Sequence, residues 1–477
     1  MRLRYLLLLV LFAVPGVVAE GLPDLGDVAQ SDFSPLQERR LGENIMREIR
    51  ADRSFYDDPE AVDYINNLGD RLASRSPDAR QNFDFFLIQD NQINAFALPG
   101  GFIGVNTGLL LNAQSESEVA SVLAHEISHV TQRHIARMIA QQKQSQVVSL
   151  AALAVAILAA RASSQAAQAA ATFGTASAIQ SQLNFTRDNE READRIGLQI
   201  LDQAGFDPRA MITFFERLQR ATRVYEGGAP SYLRTHPLTF ERIADVQNRL
   251  EALPYRQVPD SVEFQIIRAK LRADSEPPRE ALAFFEQSLA ERKFLSEAAS
   301  RYGLVASLLR GGDHARAKKE LEALRKVARP SPMIEALACR LQAAASETAA
   351  QFACYREAVR TYPHYRALTY DYADALLQNR RPEAALKVVE GRLQVYPEDH
   401  RLYLLQARSY AMLDKRFAQH RAQGEAYARM GNIPGAVEQL QIALKSGDGD
   451  FYQLSSAEAR LRALRKLNDE LRKEQRK

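Results

Sequence analysis

The amino-acid sequence predicts a mainly α-helical protein, in which an α+β domain with a small sheet is followed by a domain of helical repeats. Apolar residues recur at helical spacing along most of the chain, as in amphipathic helices. Short strand-like segments joined by a Pro-Gly-Gly turn lie between residues 83 and 105, and strand signals stop beyond residue 259. The dipeptides Tyr362-Pro363 and Tyr396-Pro397 lie 34 residues apart, which is the tetratricopeptide period.

The length and charge of the chain limit its possible functions. With 477 residues it exceeds the roughly 100–200 residues of a typical domain, so we expect at least two domains. Its 62 basic and 59 acidic side chains give a formal net charge of +3. This near balance provides no long-range field for a polyanion, and we therefore expect no nucleic-acid partner.

Residues 1–19 have the pattern of a secretory signal peptide. Two arginines precede an apolar run at residues 5–14, and a small-residue cleavage site follows at residues 17–19. The apolar run is about half of the ~20 residues that a membrane-spanning helix needs, which argues against a permanent anchor. We expect cleavage before Glu20 and export of the mature protein to the periplasm.

Hydrophobic periodicity divides the rest of the chain into elements. In the first domain, residues 20–255, the predicted helices span residues 34–52, 59–74, 116–142, 189–203, 208–225 and 240–253, and the predicted strands span 83–88, 95–98 and 102–105. A boundary near residues 253–259 separates this domain from the repeat domain, residues 256–477. We expect four or five repeats there, with a terminal capping helix at residues 457–477.

Cys339 and Cys354 are the two cysteines of the chain. A hairpin turn predicted at Ser346-Glu347 lies midway between them, so antiparallel helices would place the two thiols opposite each other. In an oxidising compartment this arrangement predicts a disulfide. The alternative is a pair of buried free thiols in a helical core.

An apolar, Ala-rich run occupies residues 147–160, and Ala, Ser and Gln dominate from there to residue 182. The run is too short to span a bilayer. One interpretation is a helical hairpin that packs on the domain. The other is a flap or plug at residues 147–182 that covers a cleft or makes peripheral contact with a membrane, because so little polar surface suggests a covered or lipid-facing site.

His125-Glu126-Ile127-Ser128-His129 forms an H-E-x-x-H pattern within a predicted helix. Residues four apart on a helix lie ~40° apart around its axis, so both imidazoles can face a single metal ion. Glu126 lies one step round from His125 and can activate a water molecule at that ion. The spacing predicts a Zn²⁺ site with His125 and His129 as ligands and Glu126 as general base.

Catalytic zinc normally has three protein ligands and one open position, so a third ligand is needed. His134 follows His129 by five positions and is expected to point away. The next helix carries Glu190, Glu192 and Asp194. Glu190 and Asp194 share a face, so Glu190 can bind the metal while Asp194 supports a ligand histidine, unless this face is merely solvated. Glu192 is the alternative ligand; otherwise it is a solvated charge.

These residues resemble the pattern of the M48 family of zinc peptidases, in which His-Glu-x-x-His is followed about sixty residues later by Glu-x-x-x-Asp. Two further family landmarks are similar: a substrate-side strand and a His-Pro element with an arginine six residues on, which correspond here to Asn94-Ala95-Phe96 and to His236-Pro237 with Arg242. The resemblance covers residues 34–253.

The resemblance implies a gluzincin-type fold, one Zn²⁺ per chain and zinc-dependent endopeptidase activity. In the family pattern the metal ligands correspond to His125, His129 and Glu190. The catalytic positions correspond to Glu126, His236, Asp194 and Arg242, and the substrate-binding positions to Asn94, Ala95 and Phe96.

Family members that combine a signal peptide with trailing tetratricopeptide repeats take part in quality control of outer-membrane proteins. The resemblance therefore implies misassembled outer-membrane β-barrel proteins as substrates and their assembly machinery as a partner, with the repeats recruiting partners. A rival interpretation is a chaperone or scaffold whose peptidase is vestigial. The intact metal-binding set argues against lost chemistry, although a second, non-proteolytic role can coexist with it.

Three roles are open for His236, which the resemblance places at the catalytic centre. It can be a simple cap before Pro237, a hydrogen-bond donor to the oxyanion, or a resting ligand at the fourth position of the zinc. The nearby Gly227-Gly228 and Pro230 suggest a loop that moves as a unit. We favour the resting ligand, because a secreted protease benefits from being held inactive.

Overall fold

The computed structural model describes residues 33–77, 81–141, 186–224, 231–344 and 348–475. The predicted signal peptide at residues 1–19 and the apolar segment at residues 147–182 lie outside these ranges, as does the Gly-Pro loop at residues 227–230. Predictions for those segments stay predictions. Within the described ranges, no helix combines the length and the apolar character needed to cross a membrane.

Two helices at the start of the described chain begin at well-formed caps. α1, Pro35–Ala51, begins at Ser34, whose hydroxyl accepts a hydrogen bond from the Gln37 backbone while the Gln37 side chain accepts one from the Ser34 backbone. α2, Pro59–Ala73, begins at Asp58, whose carboxylate accepts a hydrogen bond from the first turn. Each helix has a proline at its start, where no helical hydrogen bond is lost.

The sheet of the described residues has four strands in the order β1-β2-β4-β3, with bounds Phe55–Tyr56 for β1, Asp84–Ile88 for β2, Ala95–Leu98 for β3 and Phe102–Asn106 for β4. β2 and β4 pair in parallel, whereas β3 is antiparallel to β4 and β1 is antiparallel to β2. The β3–β4 turn contains Gly100 and Gly101, whose φ angles of +79° and +88° favour glycine. The three predicted strands are confirmed, and β1 is too short for its periodicity to be recognised.

The predicted helix at residues 116–142 is in fact two helices. α3, Thr107–Asn112, leads to α4, Glu116–Thr131, which carries the H-E-x-x-H pattern, and α5, His134–Gln141, follows. Arg133 between them adopts a left-handed φ of 51°, which ends one helix and redirects the chain. The prediction of one continuous helix is therefore wrong. Periodicity cannot detect this break, because apolar residues continue on both sides of it.

The described part of the first domain ends with four helices, α6 to α9, at Arg187–Gln203, Ala210–Val224, Ser231–Thr235 and Phe240–Leu250. α4 contacts α2, β3, α6 and α7, and α9 packs against α6 and α7. Because neighbours cover α4 on several sides, its residues are buried from Glu116 to Val130. The metal motif therefore lies in the interior of the domain.

From residue 262 onward the described residues contain helices and no strands, as the sequence predicts. The helices α10 to α19 form five hairpins, and α20 packs on the long C-terminal helix α21, which begins six residues before the predicted cap. Their bounds are Val262–Ser275, Pro278–Ala290, Glu297–Arg310, His314–Val327, Pro332–Ala344, Thr348–Thr361, Arg366–Gln378, Pro382–Leu393, His400–Met412, Arg416–Arg429, Ile433–Leu444 and Phe451–Gln475.

A disulfide joins the two helices of the third hairpin. Cys339 lies on α14 and Cys354 on α15, their sulfur atoms are bonded, and their Cα atoms are 5.5 Å apart. The predicted bridge is confirmed, whereas the predicted turn at residues 346–347 lies outside the described residues. The bond restricts the unfolded chain and so stabilises this hairpin.

A buried charged cluster connects the first domain to the repeats. The Glu60 side chain of α2 has no exposed surface, and its carboxylate lies 3.2 Å from Lys270 Nζ and 3.0 Å from Arg340 Nη1. The Tyr365 hydroxyl donates a further hydrogen bond of 3.2 Å to the same carboxylate. These partners come from α10, α14 and the segment before α16, so the repeats are bound to the first domain through polar contacts as well as apolar ones.

Candidate metal centre

The centre is built on two histidines of α4. His125 and His129 are 2% and 0% exposed, and their Nε2 atoms lie 3.0 Å apart. The four-residue spacing places both rings on the same face of the helix. Two imidazole nitrogens therefore face one point in the protein interior.

The helix α6 brings a carboxylate to that point. Gly197 allows α6 to pack closely on α4, because a Cβ atom there would lie only 3.1–3.2 Å from the backbone of Ala124 and His125. Glu190, two turns earlier on α6, has its carboxylate 3.5 Å from His125 Nε2 and 3.4 Å from His129 Nε2. Close helix packing thus positions the third group.

His236 joins this cluster although it lies 111 residues after His125. It follows α8, and its ring stacks on Tyr232 with the ring centroids 4.6 Å apart. Its Nδ1 atom lies 3.0 Å from Glu190 Oε1 and 3.4 Å from His125 Nε2. Its Nε2 atom lies 3.5 Å from Glu126 Oε1, so the ring stands between the cluster and Glu126.

The donor atoms of these residues fit a single metal ion. His125, His129, Glu190 and His236 each offer one ligand atom, and these atoms all lie within 4.8 Å of one another. A tetrahedral ion with bonds of roughly 2.0–2.1 Å holds its ligand atoms roughly 3.3 Å apart. Five contacts between these donor atoms, at 3.0–3.5 Å, are close to that value. The buried His/Glu cluster is therefore able to hold a metal.

Asp194 and Arg242 support these groups from the far side. Asp194 Oδ1 lies 3.0 Å from His125 Nδ1, and Arg242 donates hydrogen bonds of 2.7 and 2.8 Å to the Asp194 carboxylate. Arg242 also donates to the Pro237 carbonyl at 2.8 Å and lies 2.7 Å from Glu190 Oε2. Burial alone would lower the pKa of Arg242, but Asp194 and Glu190 raise it, so the guanidinium stays charged. One buried cation thus connects both carboxylates to the His-Pro segment.

The protonation of two acids follows from burial and local charge. Burial raises the pKa of Glu126, while His236 and His125 oppose that rise. A raised pKa suits a carboxylate that must accept and return a proton. Burial alone would also raise the pKa of Glu190, but His236, His125 and His129 outweigh it and hold this pKa well below its usual range. Glu190 therefore stays anionic, which is the form in which a carboxylate can bind a metal.

The strand β3 lies beside Glu126, at the end of the strand order. The Ala97 backbone is close enough to Glu126 to lower the pKa of that carboxyl. The backbone N–H of Asn106 donates a hydrogen bond to the backbone carbonyl of Asn94 on the partner strand. Alternation in an antiparallel pair then directs the backbone groups of Ala95 and Ala97 toward the open edge.

The side chains of Asn94, Ala95 and Phe96 are buried in the structure. The Phe96 ring packs edge-to-face against Phe86, with the centroids 5.8 Å apart. These side chains therefore belong to the core, and only the strand backbone is placed to meet a peptide. The assignment of Asn94, Ala95 and Phe96 to substrate binding stays a prediction.

Comparison with known proteins identifies the family. The family model described as "Peptidase family M48" matches residues 59–250, and the model described as "Tetratricopeptide repeat" matches residues 366–409. The beta-barrel assembly-enhancing protease of Escherichia coli (strain K12) is 34% identical over 455 residues, which cover 94% of this chain and 92% of that protein. The chain belongs to peptidase family M48.

Other relatives agree with this assignment. The beta-barrel assembly-enhancing protease of Yersinia pestis is 32% identical over 95% of this chain and 93% of its own length. The mitochondrial metalloendopeptidase OMA1 of Schizosaccharomyces pombe is 33% identical over 48% of this chain and 64% of its own length. The predictions of family, fold class and metallopeptidase activity are thereby confirmed. The rival interpretation of a scaffold with a vestigial peptidase gains no support.

His134 lies outside the cluster of possible metal ligands, as expected, but it does not point away from the site. His134 is fully buried, and its Nδ1 atom lies 2.9 Å from His129 Nδ1. The left-handed conformation of Arg133 redirects α5 and brings the first residue of that helix next to His129. Burial lowers the pKa of His134 to about 4, so this ring is neutral at pH 7.

Glu192 is neither part of the metal cluster nor a purely solvated charge. Its Oε2 atom lies 3.1 Å from His134 Nε2 and accepts a 2.7 Å hydrogen bond from Arg137, and its side chain is 38% exposed. Partial burial would raise the pKa of Glu192, but Arg137 and His134 lower it. The expectation of a solvated charge is therefore wrong in part, and the alternative of Glu192 as a ligand has no geometric support.

Two residues of the centre escaped the sequence prediction. Tyr232 is buried, stacks on His236 and lies 6.4 Å from the His125 ring, measured between centroids. Its spacing of four residues before His236 was the available signal. Gly197 was detectable as a glycine inside a predicted helix, which often marks close packing.

Proposed function

We propose that this chain is a periplasmic zinc-dependent endopeptidase that degrades misassembled outer-membrane β-barrel proteins and assists their assembly. The observation that carries the catalytic part is the buried cluster of His125, His129, Glu190 and His236, with Glu126 beside it. The substrate part is supported by a relative over 94% of this chain, whose name describes the enhancement of β-barrel assembly.

The donor set favours zinc. Two imidazoles and one carboxylate form a known ligand set of catalytic zinc, so we assign one Zn²⁺ to His125, His129 and Glu190. Bound zinc would supply a Lewis acid for the scissile carbonyl and lower the pKa of water at its open position. Asp194 holds the His125 ring in place, and Arg242 anchors both Asp194 and Glu190.

Glu126 performs the proton transfers in this proposal. It takes a proton from the attacking water and later delivers it to the leaving amine, for which its raised pKa is suited. The substrate pairs as an added strand with the open edge of β3, through the backbone groups of Ala95 and Ala97. Edge pairing needs an extended peptide, which an unfolded barrel strand offers and a closed barrel does not.

The repeats recruit partners in this proposal. Arrays of helical hairpins present extended surfaces for protein ligands, and the array here contacts the peptidase domain through the Glu60 cluster. A client held by the repeats therefore stays close to the cleft. The proposed partners of this chain are the outer-membrane β-barrel proteins and their assembly machinery.

Metal removal tests the proposed function. We expect the purified chain to contain zinc and to cleave an unfolded outer-membrane β-barrel protein in a gel assay. Phenanthroline should abolish cleavage, and added Zn²⁺ should restore it. The reason is that the reactive centre forms only when the ion is bound to His125, His129 and Glu190. The same barrel protein folded in detergent is the control and should resist. Cleavage that persists without metal would refute the zinc mechanism, and equal cleavage of both forms would refute the substrate class.

We further propose that His236 would be a fourth ligand of bound zinc in the resting enzyme, since its Nδ1 atom lies 3.4 Å from His125 Nε2 and 3.0 Å from Glu190 Oε1. We expect His236→Ala to raise basal casein cleavage and to cause self-cleavage, because the open position then admits water. Zinc content should stay unchanged, as three ligands remain. A role as oxyanion donor predicts a loss of about 10²–10³ in rate instead. Unchanged cleavage would exclude both roles.

A further inference from the structure

The two zinc-ligand candidates on α4 differ in what holds their rings. His125 has a carboxylate directly on its Nδ1 side, where Asp194 Oδ1 lies 3.0 Å away. His129 has another imidazole there, since its Nδ1 atom lies 2.9 Å from His134 Nδ1. Beyond that ring, His134 Nε2 lies 3.1 Å from Glu192 Oε2. A chain of three side chains thus leads from the metal cluster to the surface.

The chemistry of these groups determines where the protons lie. An ionised carboxylate only accepts hydrogen bonds, so the Nε2 atom of His134 is the donor to Glu192. A histidine that binds a metal through Nε2 carries its proton on Nδ1, so the Nδ1 atom of His134, 2.9 Å away, is the acceptor in this contact. The proton between the two Nδ1 atoms therefore belongs to His129. With its proton on Nδ1, His129 presents an Nε2 lone pair to the cluster, which is the form that binds a metal.

We propose that His134 and Glu192 are positioning residues, which hold His129 in its metal-binding tautomer and orientation without binding the metal themselves. This inference rests on the proposed metal site. Asp194 serves His125 directly, whereas Glu192 serves His129 through His134. Both carboxylates lie on α6, two residues apart, so a single helix sets the rings of both ligand histidines.

Other contacts keep this chain of side chains in place. Arg137, one turn after His134 on α5, donates a 2.7 Å hydrogen bond to the same Glu192 oxygen that faces His134. The left-handed Arg133 sets the direction of α5, and its guanidinium donates a hydrogen bond of 2.6 Å to the Phe33 carbonyl of the N-terminal segment. Arg133 before His134 and Arg137 after it thus hold His134 in position. His134 itself has no exposed surface, so water does not compete for its ring nitrogens.

Zinc affinity of His134 variants provides the test. His134→Leu removes the acceptor. We expect chelator competition to give a 10–100-fold larger zinc dissociation constant, which is the usual effect of losing such a partner. His134→Asn has a smaller side chain than His but keeps an acceptor oxygen near the Nδ1 position, so it should recover most of the affinity. A general loss of packing would not separate Asn from Leu in this way.

A second variant and two controls complete the experiment. The Glu192 side chain is partly exposed, so the Glu192→Ala variant should fold even if His134→Leu does not. It should also bind zinc more weakly than the wild type. Asp188→Ala on the same helix and His420→Leu in the repeats should leave the dissociation constant unchanged. In metal-free protein with ¹⁵N-labelled histidine, the His129 signals should show protonated Nδ1 in the wild type and a mixture of tautomers in His134→Leu.

The outcomes separate this inference from the proposed function. Wild-type zinc affinity in both His134→Leu and Glu192→Ala would overturn the positioning role while leaving the metal site intact. Equal losses in His134→Asn and His134→Leu, with unchanged His129 tautomer, would also overturn it and indicate packing alone. A wild-type protein that binds no zinc would instead overturn the proposed function.

Discussion

Replacing Glu126 by Gln is expected to abolish detectable proteolysis and to leave the zinc content unchanged. Gln has nearly the same shape but cannot accept a proton from water. The general base contributes about 10²–10⁴ to the rate of such reactions, and here it also returns the proton to the leaving amine. Glu126 is not among the four clustered ligand residues, so the metal should remain bound. Casein cleavage and zinc analysis of the two purified proteins measure both effects.

The matched control for this variant is Glu357→Gln, an exposed residue that pairs with Arg360 on the repeat helix α15. It makes the same chemical change far from the centre and should retain full activity. Equal cleavage by wild type and Glu126→Gln would show that Glu126 is not the base. Loss of zinc together with activity would instead assign Glu126 a ligand role.

Replacing Glu60 by Ala is expected to destabilise the protein strongly. Glu60 is buried between Lys270 and Arg340, and its removal leaves the buried Lys270 and the partly buried Arg340 with weaker compensation. Breaking one side of a buried ion pair costs about 3–5 kcal/mol, which is a large part of the stability of an ordinary domain. Denaturant unfolding, followed by circular dichroism, measures the free energy of unfolding of both proteins.

The effect of Glu60 also depends on pH. Burial alone would raise the pKa of Glu60, but Arg340 and Lys270 outweigh it and lower the pKa below its usual value. A carboxyl with a depressed folded pKa stabilises the protein fully above its unfolded pKa of about 4.3, and this contribution disappears as the pH falls through the folded pKa. The stability difference between wild type and Glu60→Ala should therefore be constant near neutral pH and shrink in acid below about pH 4.

Glu357→Ala serves as the comparison for Glu60→Ala. Its carboxylate is mostly exposed in its pair with Arg360, so its loss should leave the unfolding transition essentially unchanged. An equally small effect of Glu60→Ala would mean that the buried charged cluster does not hold the repeats on the peptidase domain. Retained zinc in partly unfolded Glu60→Ala would show that the metal centre survives loss of this interface.

The break between α4 and α5 shows where sequence reasoning reaches its limit. Apolar periodicity continues through Gln132 and Arg133, so the pattern predicts one helix. One residue with a φ of 51° changes the direction of the chain and places His134 against His129. A single backbone angle leaves no trace in the hydrophobic pattern. The role of Glu192 was missed for the same reason, because its partner His134 was assumed to point away.

The sequence by itself determined the parts of this protein that depend on local spacing. The H-E-x-x-H motif at residues 125–129, the three strands at residues 84–106 and the 34-residue repeat are such features, because a helical turn, a pleated strand and a repeat period are all short-range regularities. The family resemblance added the remote position His236, which spacing alone could not join to the motif.

Only the tertiary structure decided which remote groups meet. It places His236 within 3.4 Å of His125 across 111 residues, Arg340 within 3.0 Å of Glu60 across 280 residues, and Glu192 on His134 across 58 residues. These contacts depend on how α6 packs on α4 at Gly197 and on how the repeats dock on α2. Small shifts in the position of each element add up over many residues. A contact of 3 Å between residues far apart in the sequence therefore cannot be predicted from periodicity.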